Sequence, residues 1–101
     1  MSKSLIKIIS DINDFKYFCA RTITASKTLD IDALQSKVNN LQRSIRNCDS
    51  EKFITLRTAL NNINYAIANH RLKSNSYDMQ ISIIRDDINT ISKYSDSINL
   101  D

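Results

Sequence analysis

His70 is the only histidine in the chain, so no motif that needs two imidazoles on one metal can form. Cys19 and Cys48 lie far apart and lack a C-x-x-C spacing, which excludes a zinc ribbon and a thioredoxin-type redox pair. Each falls where a helical core takes a small apolar residue, and both are expected as buried free thiols; one disulfide between them is the alternative. Glu51 is the only glutamate. The neighbouring acids Asp11 with Asp14, and Asp30 with Asp32, have the composition of an acid–base pair. Their places on a helix surface and at a helix start favour a solvated face and a cap instead. Asp86–Asp87 reads as a polar face. The chain contains no glycine, so a phosphate-cradling loop is impossible. No cofactor, no metal and no enzymatic activity are expected.

One short segment carries a chemical option. The run His70-Arg71-Leu72-Lys73-Ser74-Asn75-Ser76 resembles the phosphoacceptor segment of histidine-phosphotransfer domains, which are four-helix bundles of similar size. The resemblance implies that His70 carries a phosphoryl group and that Lys73, about one turn away, offsets its charge. The run departs from that family where glycine usually follows the lysine, here Ser74, and again near Met79–Gln80. It also departs in reading as a turn at Ser74–Ser76, where the family continues its helix. The competing reading makes His70 the last member of an apolar seam, three residues after Ile67, at the edge of the core.

Charge supplies a second option. Residues 1–75 carry twelve Lys/Arg against six acids, a net of +6, while residues 76–101 carry two against five, a net of −3. Arg43 and Arg46 share a helix face, and Lys52, Arg57, Arg71 and Lys73 are candidates to extend it into a basic surface for nucleic-acid phosphates. There is neither a dense basic run nor the interleaved aromatics that stack bases. The acidic C-terminal part packing beside the basic part explains the same asymmetry. Tyr17, Tyr65, Tyr77 and Tyr94 sit at seam margins, where a ring packs and its hydroxyl stays wet; tyrosine is also favoured in binding hot spots.

Whatever these residues do, helices must position them. A chain of 101 residues with 42% apolar and 25% charged residues suits one globular domain. The absence of both glycine and proline argues against a sheet protein, whose tight turns rely on them. Apolar residues recur at alternating steps of three and four in four stretches. The first is Leu5, Ile8, Ile12, Phe15, Cys19, widened by Ile9, Phe18 and Ile23. The second is Ile31, Leu34, Val38, Leu41, Ile45, with Cys48 at its end. The third is Phe53, Leu56, Leu60, Ile63, Ile67, flanked by Ala59 and Ala66. The fourth is Ile81, Ile84, Ile88, Ile91, lapsing at Ser95 and returning at Ile98.

Polar residues mark the breaks. Ser26–Asp30 supplies caps for the second helix, Asn47–Ser50 a stop and a start, and Ser74–Ser76 a turn before Asp78 at the positive end of the fourth. The seam also slips phase between Cys48 and Phe53. Helices are therefore expected near 3–26, 31–46, 50–72 and 77–98 in one domain spanning 1–101.

Short connections make consecutive helices antiparallel, giving an all-α, up-down-up-down bundle. The alternative leaves the fourth helix loosely docked or shared with a partner, since Ile-rich seams also suit coiled-coil oligomers. Lys3 and Lys7 interrupt any signal-peptide core, no run reaches the roughly 20 apolar residues of a membrane span, and a cytoplasmic location is expected. Such a bundle has little loop for a pocket and much helix surface. The expected function is a non-catalytic protein–protein interaction module: an adaptor, chaperone, inhibitor, immunity protein or assembly subunit. Its partner would be another protein or a second copy, with a nucleic acid ranked below both and no membrane.

Overall fold

Each of the four apolar stretches becomes the buried stripe of one helix. The computed structural model describes residues 3–25, 29–46 and 51–97. They form α1 (Lys3–Ala25), α2 (Ile31–Ile45), α3 (Ile54–Ala68) and α4 (Tyr77–Ser97), with a 3-10 turn at Glu51–Phe53 leading into α3. No strand occurs among the described residues. The helices form an all-α four-helix bundle, each packing on its sequence neighbours, and α4 closes the ring on α1. The fourth helix is thus a full member of the core, packed against both α1 and α3.

The core follows the seams closely. Ile8, Ile12, Phe15 and Cys19 of α1 meet Leu34, Val38, Leu41 and Ile45 of α2. Phe53, Leu56, Leu60 and Ile63 meet Ile84, Ile88 and Ile91 in the same cluster, which also buries the small Ala59 and Ala66. Burying one such aliphatic side chain contributes about 1.5–3 kcal/mol. Among the described residues every buried side chain is apolar. Ser26, Asn47–Ser50 with Cys48, Ile98, and the side chains of Leu5, Ile23, Lys52 and Ser95 lie outside the described residues.

Local chemistry sets the ends. Asp30 caps α2: its Oδ1 accepts from the Ala33 backbone N–H at 3.0 Å, and Asp32 adds negative charge to the first turn. At the other end, Arg57 of α3 donates to the Ile45 carbonyl at 3.1 Å, satisfying an acceptor in the last turn of α2. Asp78 stands in the first turn of α4.

The third helix is shorter than the expected 50–72. It begins as a 3-10 turn and ends at Ala68, followed by turn residues to Ser74. The reason lies at Leu72, which is 1% exposed. Leu72 is nine residues, or ~2.5 helical turns, beyond Ile63, so a continuous helix would aim it away from the seam. Ending the helix early lets the chain reverse and bring Leu72 into the core. His70, expected at the core edge, is exposed instead, and Leu72 takes that place.

Polar contacts at the helix margins fix how neighbours align. Between α2 and α3, Gln35 Nε2 donates to Asn64 Oδ1 at 2.6 Å, Asn64 Nδ2 to Gln42 Oε1 at 2.8 Å, and Gln42 Nε2 to Asn61 Oδ1 at 3.0 Å. This amide chain runs antiparallel along the groove. Ser44 Oγ donates to Asp11 Oδ2 across α1 and α2, and Lys7 Nζ pairs with the same carboxylate at 3.2 Å. Asn62 Nδ2 donates to Asp87 Oδ1 at 3.1 Å across α3 and α4, and Tyr77 Oη donates to the Thr22 carbonyl at 2.5 Å across α4 and α1.

Two outcomes test this account. Leu60, fully buried in the middle of α3, becomes an unpaired buried charge in Leu60→Asp, and the cooperative thermal transition followed by circular dichroism should be lost. Asn64→Ala should lower stability by about 1–2 kcal/mol in urea denaturation, because the half-buried Gln35 and Gln42 each lose a partner; an unchanged midpoint would mean that water replaces the amide at no cost.

Candidate functional site

The residues with chemical options are distributed over both ends of the bundle. Arg57 follows the 3-10 turn at the start of α3, beside the end of α2 that carries Arg43 and Arg46. Gln42, Ile45, Arg46, Arg57 and Asn61 line one shallow cleft of about 320 Å³ there. Arg43 is exposed and donates to Asn40 Oδ1 at 2.9 Å. Arg71, by contrast, follows the other end of α3, and the helix between Arg57 and Ala68 spans ~16 Å. The fold therefore groups Arg43, Arg46 and Arg57 and separates Arg71 from them. Within the basic group, the guanidinium of Arg57 is already directed to the α2 terminus.

His70 owes its conformation to the end of α3. Its φ is +62°, the left-handed region that glycine usually fills. The His70 N–H donates to the Ile67 carbonyl at 3.1 Å and the Arg71 N–H to the Ala66 carbonyl at 3.1 Å. Those two bonds define a Schellman cap, with His70 as the left-handed residue just past the helix. Histidine is one of the few side chains enriched in that region, and a chain without glycine must use such a residue. Ser74 closes the turn, its N–H and Oγ both donating to the His70 carbonyl. Lys73 is exposed in the same turn. The phosphotransfer family carries its histidine within a continuous helix, whereas His70 stands beyond one.

Several of the other nucleophilic and acidic groups among the described residues are engaged structurally. Cys19 is a free thiol, 4% exposed, and burial pushes its pKa up to about 12. It is therefore protonated at neutral pH and a poor nucleophile. Asp11 binds Ser44 and Lys7, Asp30 caps α2, and Asp87 binds Asn62. Among the described residues no three His, Cys, Asp or Glu side chains gather as a metal cluster would, and no helix is long and apolar enough to cross a membrane.

A second cleft, of about 260 Å³, runs between α3 and α4 and is lined by Asn62, Tyr65, Ala66, Arg71, Ile83 and Asp87. Tyr65 is 70% exposed, so its ring stands over the groove margin rather than in the core. Met79, also more than half exposed, precedes Ile83 by four residues, and Asp87 follows Ile83 by four, so the three form one row on α4. The seam pattern identified Tyr65 and Asp87 only as marginal or polar. Met79 and Ile83 were missed because they lie on a second row beside the α4 seam, where Met79 is exposed and Ile83 is half-buried against the core, and that row is the sequence signal. Of the other tyrosines, Tyr17 is exposed under Arg21, whose guanidinium carbon is 5.9 Å from the ring centre, while Tyr94 packs against the core.

Comparisons with protein-family models, curated proteins and solved structures gave no match. What bears on function is therefore this geometry alone.

The cap assigns His70 a measurable role. His70→Gly removes a left-handed penalty of roughly 1–2 kcal/mol and adds unfolded-chain entropy of about half that, for a net gain of ~0.5–1 kcal/mol, or ~2–8 °C in Tm. His70→Val should lower Tm instead, as a β-branched residue fits this region worst. Equal melting of all three proteins would show that the cap contributes nothing.

Proposed function

We propose that this chain is a non-catalytic helical protein–protein interaction module, binding through the α3/α4 face. The observation that carries the reading is Tyr65, held 70% exposed at the rim of a cleft that also presents Arg71 and Ile83. Tyrosine and arginine around an apolar floor are the side chains that dominate binding energy at protein interfaces. The apolar seams are consumed by the core, so partner recognition falls to rows outside them. Chaperone, adaptor, inhibitor and assembly-subunit roles all use such a surface, and fold alone does not choose among them.

A second reading keeps His70 as a phosphoacceptor with Lys73 as its cation. The exposure of both side chains favours it, and the position of His70 beyond the helix weighs against it. Supplying a phosphorylated receiver domain tests it: transfer of acid-labile phosphate, lost in His70→Ala, supports this reading, and no transfer removes it.

The interaction reading is tested with a photo-cross-linking residue placed at Tyr65 and, separately, at the exposed Ser36 of α2. In the source cells, position 65 should yield an adduct of one defined mass that Arg71→Asp abolishes, and position 36 should yield none. Equal adducts at both positions, or none at either, would overturn the assignment of this face.

A further inference from the structure

The α3/α4 cleft has a charge order that matches itself when turned end for end, and we infer that its occupant is a second copy of this chain. Along the bundle, Arg71 and Met79 lie at the end where α3 stops and α4 starts. Tyr65 and Ile83 come next along the cleft, and Asn62 with Asp87, midway along α3 and α4, close it. The cleft is thus cationic at one margin, anionic at the other and aromatic or aliphatic between.

A two-fold axis through the middle of such a cleft places Arg71 of each copy opposite Asp87 of the other. It also brings the two Tyr65 rings and the two Ile83 side chains near the axis, and sets Met79 of each copy beside the Asn62–Asp87 end of the other. Closed two-fold dimers are the commonest soluble oligomers and require this kind of self-matching patch. A partner of uniform charge would be attracted at one margin and repelled at the other, which favours a second copy. The bond from Asn62 Nδ2 occupies Oδ1 of Asp87, one of its two carboxylate oxygens. Tyr65 and Met79, exposed at 70% and 51%, are the apolar groups such a dimer would cover.

This inference rests on the interaction reading and narrows its partner. The test is molar mass by light scattering during size-exclusion chromatography, at two well-separated concentrations, with circular dichroism confirming the fold of each variant. The unaltered protein should move from the chain mass of 11.6 kDa toward twice that value as concentration rises. Arg71→Asp and Asp87→Arg should each remain at the chain mass, because every reciprocal pair becomes like-charged. An equimolar mixture of the two variants should recover the doubled mass. In the mixed pair the introduced aspartate faces the introduced arginine, and the unaltered Arg71 of one chain faces the unaltered Asp87 of the other.

A protein that stays at the chain mass at both concentrations overturns the second copy as occupant. If cross-linking at position 65 still yields a heterologous adduct, the interaction reading survives that result. A dimer indifferent to both reversals, or a mixture that fails to recover the doubled mass, overturns the reciprocal pairing.

Discussion

The burial of four apolar stripes against one another is the interaction on which everything else in this molecule depends. Leu34, Leu41, Leu56, Leu60, Ile63 and Ile91 are fully buried, and among the described residues no polar side chain accompanies them. Such a core is strongly stabilising but indifferent to detail, because one aliphatic row slides along another at modest cost. Register must come from elsewhere. It comes from the margins, where Asp11 meets Ser44, Gln35 and Gln42 interlock with Asn64, Asn62 meets Asp87 and Tyr77 reaches Thr22. Each such bond is worth little net stability, but each penalises a slipped alignment that would strand a half-buried amide or carboxylate. The Asn-rich composition that looks featureless in sequence is in this sense the alignment code of the bundle.

Reversing a chain without glycine is the second constraint. Between α3 and α4 the polypeptide must leave a helix, turn and present Leu72 to the core within a few residues. The left-handed residue that permits this is His70, at a steric cost that glycine would avoid. That cost is sustained because Leu72 and the two Schellman bonds are satisfied together. The only histidine of the chain is accordingly placed by backbone geometry. Its exposure is a consequence of that geometry and carries no implication of chemistry by itself.

The four helices were legible because alternating three- and four-residue spacing is a local signal, and Leu34, Val38, Leu41 and Ile45 occupy the core as that spacing requires. Asp30 as the cap of α2 was legible for the same reason, since capping acts within four residues. The end of α3 was not, because nothing local at Ala68 stops a helix. What stops it is the advantage of burying Leu72, which depends on the positions of the other helices. Of the candidate basic surface, Arg43, Arg46 and Arg57 come together and Arg71 does not, for a related reason: Arg57 and Arg71 are both on the third segment, but almost the whole of α3 separates them. Sequence proximity reports helix phase reliably and position along the bundle poorly.

The placement of the α3/α4 cleft follows from the same division between seams and margins. The α2/α3 groove is bridged by amides from Gln35 to Asn61 and opens only beyond them, beside Arg46 and Arg57, while the α1/α2 groove is crossed by Asp11, Ser44 and Lys7. In the α3/α4 groove the Asn62–Asp87 bond crosses at one end, while Tyr65 and Ile83 line the stretch beyond it. Ala66 is too short to cover that stretch, and α4 carries a second row beside its inward seam in which Ile83 is half-buried against the core and Met79 is exposed. The fold already covers part of Ile83 but leaves Met79 in solvent. Covering Met79 and Tyr65 would remove apolar surface from water, and Arg71 and Asp87 stand at the two margins of the cleft beside them.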